Sequence, residues 1–226
     1  MPALVLGSVV VSVVRGLERR LEKLLDGVAG RVFSGRLHPS EIASKLAREA
    51  DFARFEHETG PATANAYTIL VHPRDINVNP EELEQTLADE MTRYSIEEGL
   101  RLEGPVTVSI ETSDGVSAGN VVCHVEVLPG PPLVWARLVA ETETLEVGRN
   151  RSLVGRAPEC DVVVTGNEVS RKHALIWREG GIISIRDLTS SNGTYIDGRR
   201  IGTEPVEVQP GSLIGFGDRR YRLLEN

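Results

Sequence analysis

Gly155-Arg156, Asp161, Ser170-Arg171-Lys172-His173, Asp187-Leu188-Thr189-Ser190-Ser191-Asn192-Gly193-Thr194 and Asp197-Gly198 follow one another along a single stretch of this chain. The residues between these polar blocks form short apolar runs, Val162–Val164, Ala174–Trp177 and Ile182–Ile185. Each run is long enough for a strand and too short for a helix, so the polar blocks read as loops. Strands that run back and forth through a sandwich bring their loops to its two ends, where loops distant in sequence meet. Meeting here are the guanidinium of Arg156, the hydroxyls of Ser170 and Ser191, the amide of Asn192, a second guanidinium from Arg171, and backbone N–H groups freed by glycine. Such a donor-rich set suits an oxyanion with several acceptor oxygens.

In this order and at these separations, Gly155-Arg156, Ser170-Arg171-Lys172-His173 and Ser190-Ser191-Asn192-Gly193-Thr194, with Asp161 and Asp187 in place, resemble the forkhead-associated (FHA) domain, a reader of phosphothreonine peptides. The resemblance implies an all-β FHA sandwich over residues 135–226. It also implies that Arg156, Ser170, Ser191 and Arg171 hold a phosphate while Asn192 bonds the peptide main chain beside it. A phosphothreonine carries about −1.5 to −2 charges and three acceptor oxygens. A planar guanidinium answers it with charge-assisted bonds worth roughly 1.5–3 kcal/mol each. The neighbouring motif residues read as structure: Gly155 and Gly193 for backbone geometry, His173 as a brace between loops, Asp161, Asp187 and Ser190 as loop-bracing groups, and Thr194 likewise. Arg199-Arg200 reads as a solvated turn. Glu168, in the loop before Ser170, is acidic and is expected to disfavour acidic residues C-terminal to the phosphothreonine.

Of 226 residues, 40% are hydrophobic and 26% charged, the balance of a soluble globular chain of one large or two small domains. A formal charge of −8 is unevenly spread. Residues through Arg137 carry 13 basic and 20 acidic side chains, the remainder 12 and 13. The acidic part is a poor match for nucleic acid, whose affinity rests on phosphate neutralisation. Cys123 and Cys160 fall in different candidate domains, so no structural disulfide is expected, and a reducing, cytoplasmic setting fits. The five histidines show no metal-ligand spacing, and neither a metal nor another cofactor is expected.

Residues 1–14 include the apolar stretch Ala3–Val14, short of the ~20 residues that span a bilayer as a helix, and they precede the first basic side chain, Arg15. They read as an extension: a packed helical segment, a peripheral contact, or codons upstream of the natural start. From Leu17, apolar residues at 21, 24, 25, 28 and 32 keep helical spacing. Gly27-Val28-Ala29-Gly30 reads as a break in that helix rather than the nucleic-acid clamp of a KH domain, because its middle pair is apolar. Pro39 opens a second helix, Phe52–Ala64 reads as a mobile polar connection, and Thr59 and Thr63 within it are candidate phosphorylation targets. Tyr67–Val71 is a strand, and Asn79-Pro80-Glu81-Glu82 starts a third helix that stops at Gly99. Alternation at Val106, Val108 and Ile110 and at Val121, Cys123, Val125 and Val127 reads as a hairpin.

Residues 15–128 thus form a small α+β domain, the first part of a two-domain chain, joined through Pro129–Val134 to the sandwich. Leu17-Glu18-Arg19-Arg20-Leu21-Glu22, Pro39-Ser40-Glu41-Ile42-Ala43 and Gly104-Pro105-Val106-Thr107-Val108 resemble the FhaA-like N-terminal domain, of undefined activity, that precedes FHA domains in some actinobacterial proteins. The linker, Pro129-Gly130-Pro131-Pro132 at its start, is short where relatives carry a long tract, which predicts short reach. The chain contains no nucleophile–base pair, P-loop or carboxylate pair placed for acid–base work. It therefore reads as a non-enzymatic adaptor for a threonine-phosphorylated kinase or kinase substrate. A phosphate-independent assembly scaffold and nucleic-acid binding through the N-terminal domain are the alternatives.

Overall fold

The computed structural model of the chain describes residues 15–26, 31–33 and 37–226. Residues 1–14 and the Gly27–Gly30 break lie outside the described residues. The chain divides into two compact units: the described residues up to Phe55 with Thr63–Tyr94 and Gly104–Pro129 in one, and Glu56–Ala62, Ser95–Glu103 and Gly130–Asn226 in the other. Among the described residues no helix is long and apolar enough to cross a membrane.

In the first unit, helix α1 (residues 15–26) buries Leu17, Leu21 and Leu25, one per turn, as its amphipathic pattern predicts. Helix α2 (Pro39–Phe52) has proline in its first turn and buries Ile42, Ala43, Leu46, Ala47 and Ala50. Its cap is His38, whose ring nitrogen accepts the Ser40 N–H at 3.3 Å. The segment expected to be a mobile connection is instead ordered as a hairpin, β1 (Phe55–His57) and β2 (Gly60–Ala62), which from Glu56 onward belongs to the second unit. Thr59 and Thr63 are only 2% exposed. The Thr59 hydroxyl bonds the His57 ring at 2.9 Å and that of Thr63 donates to the Ala50 carbonyl at 3.3 Å, so neither is presented to a kinase.

Strand β3 (Ala66–Val71) is the centre of the first unit's sheet, with α3 (Glu81–Glu97), β4 (Thr107–Thr112) and β5 (Val121–Glu126) following it. The expected hairpin of β4 with β5 is not formed. β3 lies between them, parallel to β4 with Ile69 opposite Ile110, and antiparallel to β5 with Ile69 opposite Cys123. Alternation marks which face of a strand is buried but not which strand it pairs with. The β3–α3–β4 crossover brings β4 back parallel to β3, leaving the other edge for β5. Asn65 locks this order, its side-chain amide donating to the Pro105 and Leu128 carbonyls at 3.0 and 2.9 Å.

The second unit is a β-sandwich of β6 (Ala136–Val139), β7 (Thr144–Val147), β8 (Ser152–Gly155), β9 (Val162–Val163), β10 (Ala174–Glu179), β11 (Ile182–Asp187), β12 (Thr194–Ile196), β13 (Arg199–Ile201), β14 (Val206–Val208), β15 (Leu213–Phe216) and β16 (Arg219–Glu225). One sheet runs β14-β11-β10-β8-β9 and the other β13-β12-β15-β16-β6-β7. Their inner faces supply one core that includes Val154, Ile176, Ile185, Ile214, Phe216 and Leu223. The three apolar runs between the polar blocks are β9, β10 and β11, as their length predicted. Arg199-Arg200 lies on strand β13 rather than in a turn.

The division of the chain does not follow a single cut at the Pro/Gly linker. Ser95–Glu103 and Glu56–Ala62 cluster with the sandwich, bridged to each other where the Arg101 N–H donates to the Pro61 carbonyl at 2.9 Å.

Candidate functional site

The site grows from the end of β8. Leaving Gly155, the chain turns so that the Arg156 N–H donates to the Ser170 carbonyl at 3.0 Å and the Ala157 N–H to the Arg171 carbonyl at 3.2 Å. The Arg171 carbonyl also accepts the Cys160 thiol at 3.1 Å. A Cβ at position 155 would collide with that carbonyl oxygen, so glycine is required by close approach, not by an unusual φ. Arg156 and Arg171 point into solvent, and neither guanidinium has a partner among the described residues.

Ser170 is the junction. Its carbonyl accepts Arg156, its N–H donates to His173 Nδ1 at 3.0 Å, and its hydroxyl oxygen accepts the Ser191 N–H at 3.0 Å. The hydroxyl, already accepting from Ser191, keeps its own proton free for an acceptor from outside. The loop carrying Arg156, the loop of Ser170 and Arg171, and the loop of Ser191 and Asn192 are therefore tied at one end of the sandwich. Asn192 Nδ2 donates to the Glu168 carbonyl at 3.0 Å, leaving its side-chain oxygen and second N–H unused by that bond.

Below this rim lies a buried polar layer. His173 is fully buried; its Nδ1 accepts from Ser170 and its Nε2 lies 3.1 Å from the Gly193 carbonyl, which assigns the neutral Nε2–H form. Burial lowers its pKa from the ordinary histidine value, against the opposing pull of the Gly193 carbonyl and Asp187. Asp187 accepts the Ser190 N–H at 2.8 Å, the Ser190 hydroxyl at 2.5 Å and the Thr194 hydroxyl at 2.6 Å. Desolvation pushes its carboxyl up, but the bonds from Ser190 and Thr194 outweigh it and hold the pKa low. Gly193, at φ +83, donates to the Ser190 hydroxyl at 3.0 Å, and its carbonyl also accepts the Gly217 N–H at 3.0 Å.

Asp161 sits apart from the rim. Its carboxylate takes the Leu153 N–H at 2.8 Å and a two-pronged bond from Arg101 at 2.7 and 2.8 Å, fixing the far end of the loop that carries Arg156. Motif reading missed Arg101, Glu58, which pairs with Lys172 beside Arg171, and Gly217, whose missing Cβ lets it lie against the Glu168 carbonyl. Nothing in the sequence marked Arg101 or Glu58, which lie far from the motifs along the chain.

Two family models match the chain, "FhaA, N-terminal domain" over residues 14–124 and "FHA domain" over residues 152–217. The FHA domain-containing protein FhaB of Mycolicibacterium smegmatis is 33% identical over 73 residues, covering 32% of this chain and 46% of that protein. The chain thus spans about half the length of the FhaB relatives that it matches. The glycogen accumulation regulator GarA of the same organism is 24% identical over 159 residues, 67% of this chain and 89% of that protein. A solved structure of Mycobacterium tuberculosis EmbR in complex with a low-affinity phosphopeptide is similar at 28% identity and a TM-score of 0.38, over 41% of this chain and 25% of that one. The chain belongs to the FHA-domain proteins that carry an FhaA-type N-terminal domain.

Proposed function

We propose that the sandwich docks threonine-phosphorylated segments of partner proteins, with the chain acting as an adaptor in Ser/Thr-kinase signalling. The observation that carries this is the junction at Ser170, which gathers Arg156, Arg171, Ser191 and Asn192 on one solvent-facing rim. Arg156 and Arg171 supply charge, the Ser170 and Ser191 hydroxyls supply compact donors, and the unused polar atoms of Asn192 meet the peptide main chain. The partner is a kinase or a kinase substrate in the cytoplasm, held without metal or cofactor, without chemistry, and without nucleic acid or stable membrane insertion. A phosphothreonine peptide titrated against wild type, Arg156→Ala and Ser170→Ala tests the reading. Each variant is expected to lose at least 10-fold in affinity with its fold intact, two charge-assisted bonds being worth several kcal/mol. Equal binding of the phosphorylated and unphosphorylated peptide by the wild type would refute it.

A further inference from the structure

The outer face of the larger sheet carries a row of side chains that begins beside the rim. Across β13, β12, β15 and β16 the register aligns Arg200 with Tyr195, Tyr195 with Gly215, and Gly215 with Arg220. Gly215 has no side chain, and a Cβ there would lie 2.7 Å from Arg220 Nη1. Through that gap Arg220 reaches the Tyr195 ring, its guanidinium carbon 5.1 Å from the ring centroid. Arg220 is held in place by the Gly217 carbonyl, which accepts from Nη1 at 2.7 Å. At the other end, Arg200 lies across Gly193, and the Tyr195 hydroxyl donates to the Asn192 carbonyl at 3.2 Å. The row is therefore continuous with the residues assigned to the phosphopeptide.

Its charge is unanswered. Arg200, Arg220 and Arg222, all exposed, form no ion pair among the described residues, whereas the buried Arg101 and Arg151 face carboxylates. Three inter-strand spacings of about 4.8 Å separate Arg200 from Arg220, a span that four or five extended residues cover. Glu168, Asp197 and Asp218 are acidic side chains of the adjoining loops, and they are outnumbered by Arg156, Arg171, Arg200, Arg219 and Arg220.

We infer that this row is a second contact for the same ligand: an acidic segment flanking the phosphothreonine lies across Arg200, Tyr195 and Arg220. The inference rests on the phosphothreonine reading and names the class of partner, a phosphothreonine within an acidic stretch. It reverses the expectation that Glu168 disfavours acidic neighbours.

Four synthetic phosphothreonine peptides and their unphosphorylated counterparts test it with the full chain, carrying a Glu-rich or a Gln-rich tail on either side of the threonine. For one tail position, the Glu-rich peptide is expected to bind roughly 3- to 10-fold more tightly, the range for two exposed charge pairs. That preference is lost in Arg200→Gln and inverted in Arg200→Glu, while the Gln-rich peptides bind all three proteins alike. Arg200→Gln is chosen because the Arg200 side chain makes no hydrogen bond among the described residues, and its unchanged melting temperature serves as the control. If Glu-rich and Gln-rich peptides bind the wild type equally, the acidic row is overturned and the phosphothreonine reading stands. If neither phosphorylation nor the tail affects binding, both fall. Arg200-dependent pelleting with phosphatidylserine vesicles, with no tail preference, assigns the row to a lipid surface and also overturns the inference.

Discussion

At the scale of single residues, this site is built from close approaches that admit one side chain each. Replacing Gly155 with alanine forces a methyl group into the Arg171 carbonyl, against backbone rather than a yielding side chain. We expect a loss of about 2 kcal/mol or more in unfolding free energy, as for an overpacked core position, with phosphopeptide affinity falling alongside; denaturant titration reads the first. His173 is the second such position. Its removal in His173→Ala leaves the Ser170 N–H without its partner, a cost on the order of 1–3 kcal/mol, while the Gly193 carbonyl keeps only the bond from the Gly217 N–H. Because the folded His173 pKa lies below the ordinary value of about 6.5, the unfolded chain takes up the proton first. Its contribution is complete above about pH 6.5 and is lost as the pH falls from there toward the folded pKa. Denaturation between pH 7.5 and 5 should show stability declining with acid, and His173→Gln, which does not titrate, should flatten that slope. Asp187, also held low, adds its own loss only below about pH 4. The motif residues were legible in the sequence because their polarity interrupts apolar runs. The donors and acceptors that each would use were not, since a hydrogen-bond partner is a property of position.

Among elements, the loop from Arg156 to Asp161 shows what holds a binding loop still. Its start is pinned to Ser170 and Arg171, and its end by Asp161, whose carboxylate meets Arg101. The Arg101 side chain is only 7% exposed and also bonds Glu103 at 2.6 Å and the Arg151 carbonyl at 3.0 Å. Desolvation lowers its pKa, but the bonds it donates to Asp161 and Glu103 overcome this and raise it, so the guanidinium stays charged. Arg101→Ala strands these partners, and about 3–5 kcal/mol of stability is the expected loss, as for a broken buried pair. A thermal melt of the variant checks this, and a melting temperature unchanged from wild type would count against the bond. Arg101 stands two residues after Gly99, beyond the end of α3 at Glu97, and the sequence presented it only as a residue past a helix stop. The pairing of β3 with both β4 and β5 was hidden for a related reason: strands declare their buried face locally, but their neighbours are chosen by the path of the whole chain.

For the molecule as a whole, the sandwich is not a single continuous segment. Besides its own strands it holds Glu56–Ala62 and Ser95–Glu103. Arg151, in the left-handed region at φ +60, donates to the Thr59 carbonyl at 2.9 Å and the Gly99 carbonyl at 3.0 Å, with its guanidinium 5.0 Å from the Trp177 ring. Asn150 bonds the Leu100 and Arg178 carbonyls at 3.2 and 3.0 Å. Residues 130–226 expressed alone lack these partners and expose the groups that meet them. We expect that fragment to melt at least several degrees below the full chain, since a few kcal/mol shifts a domain of this size by that much. Scanning calorimetry of both would show it, and equal melting temperatures would mean that the two inserted segments are not structural parts of the sandwich.

Composition, spacing and polarity alone determined that the C-terminal part is a sandwich with a donor-rich loop end, that helices of amphipathic spacing precede it, and which residues stand in its motif. These follow from local rules, in which period sets the element and polar interruptions set the loops. Only the tertiary structure decided that Ser170 joins three loops, that Arg101 grips Asp161, that the segment around Thr59 is ordered, and that Arg200, Tyr195 and Arg220 line up across four strands. Each of these is a contact between residues far apart along the chain, and such contacts depend on register and packing, which no local pattern of residues encodes.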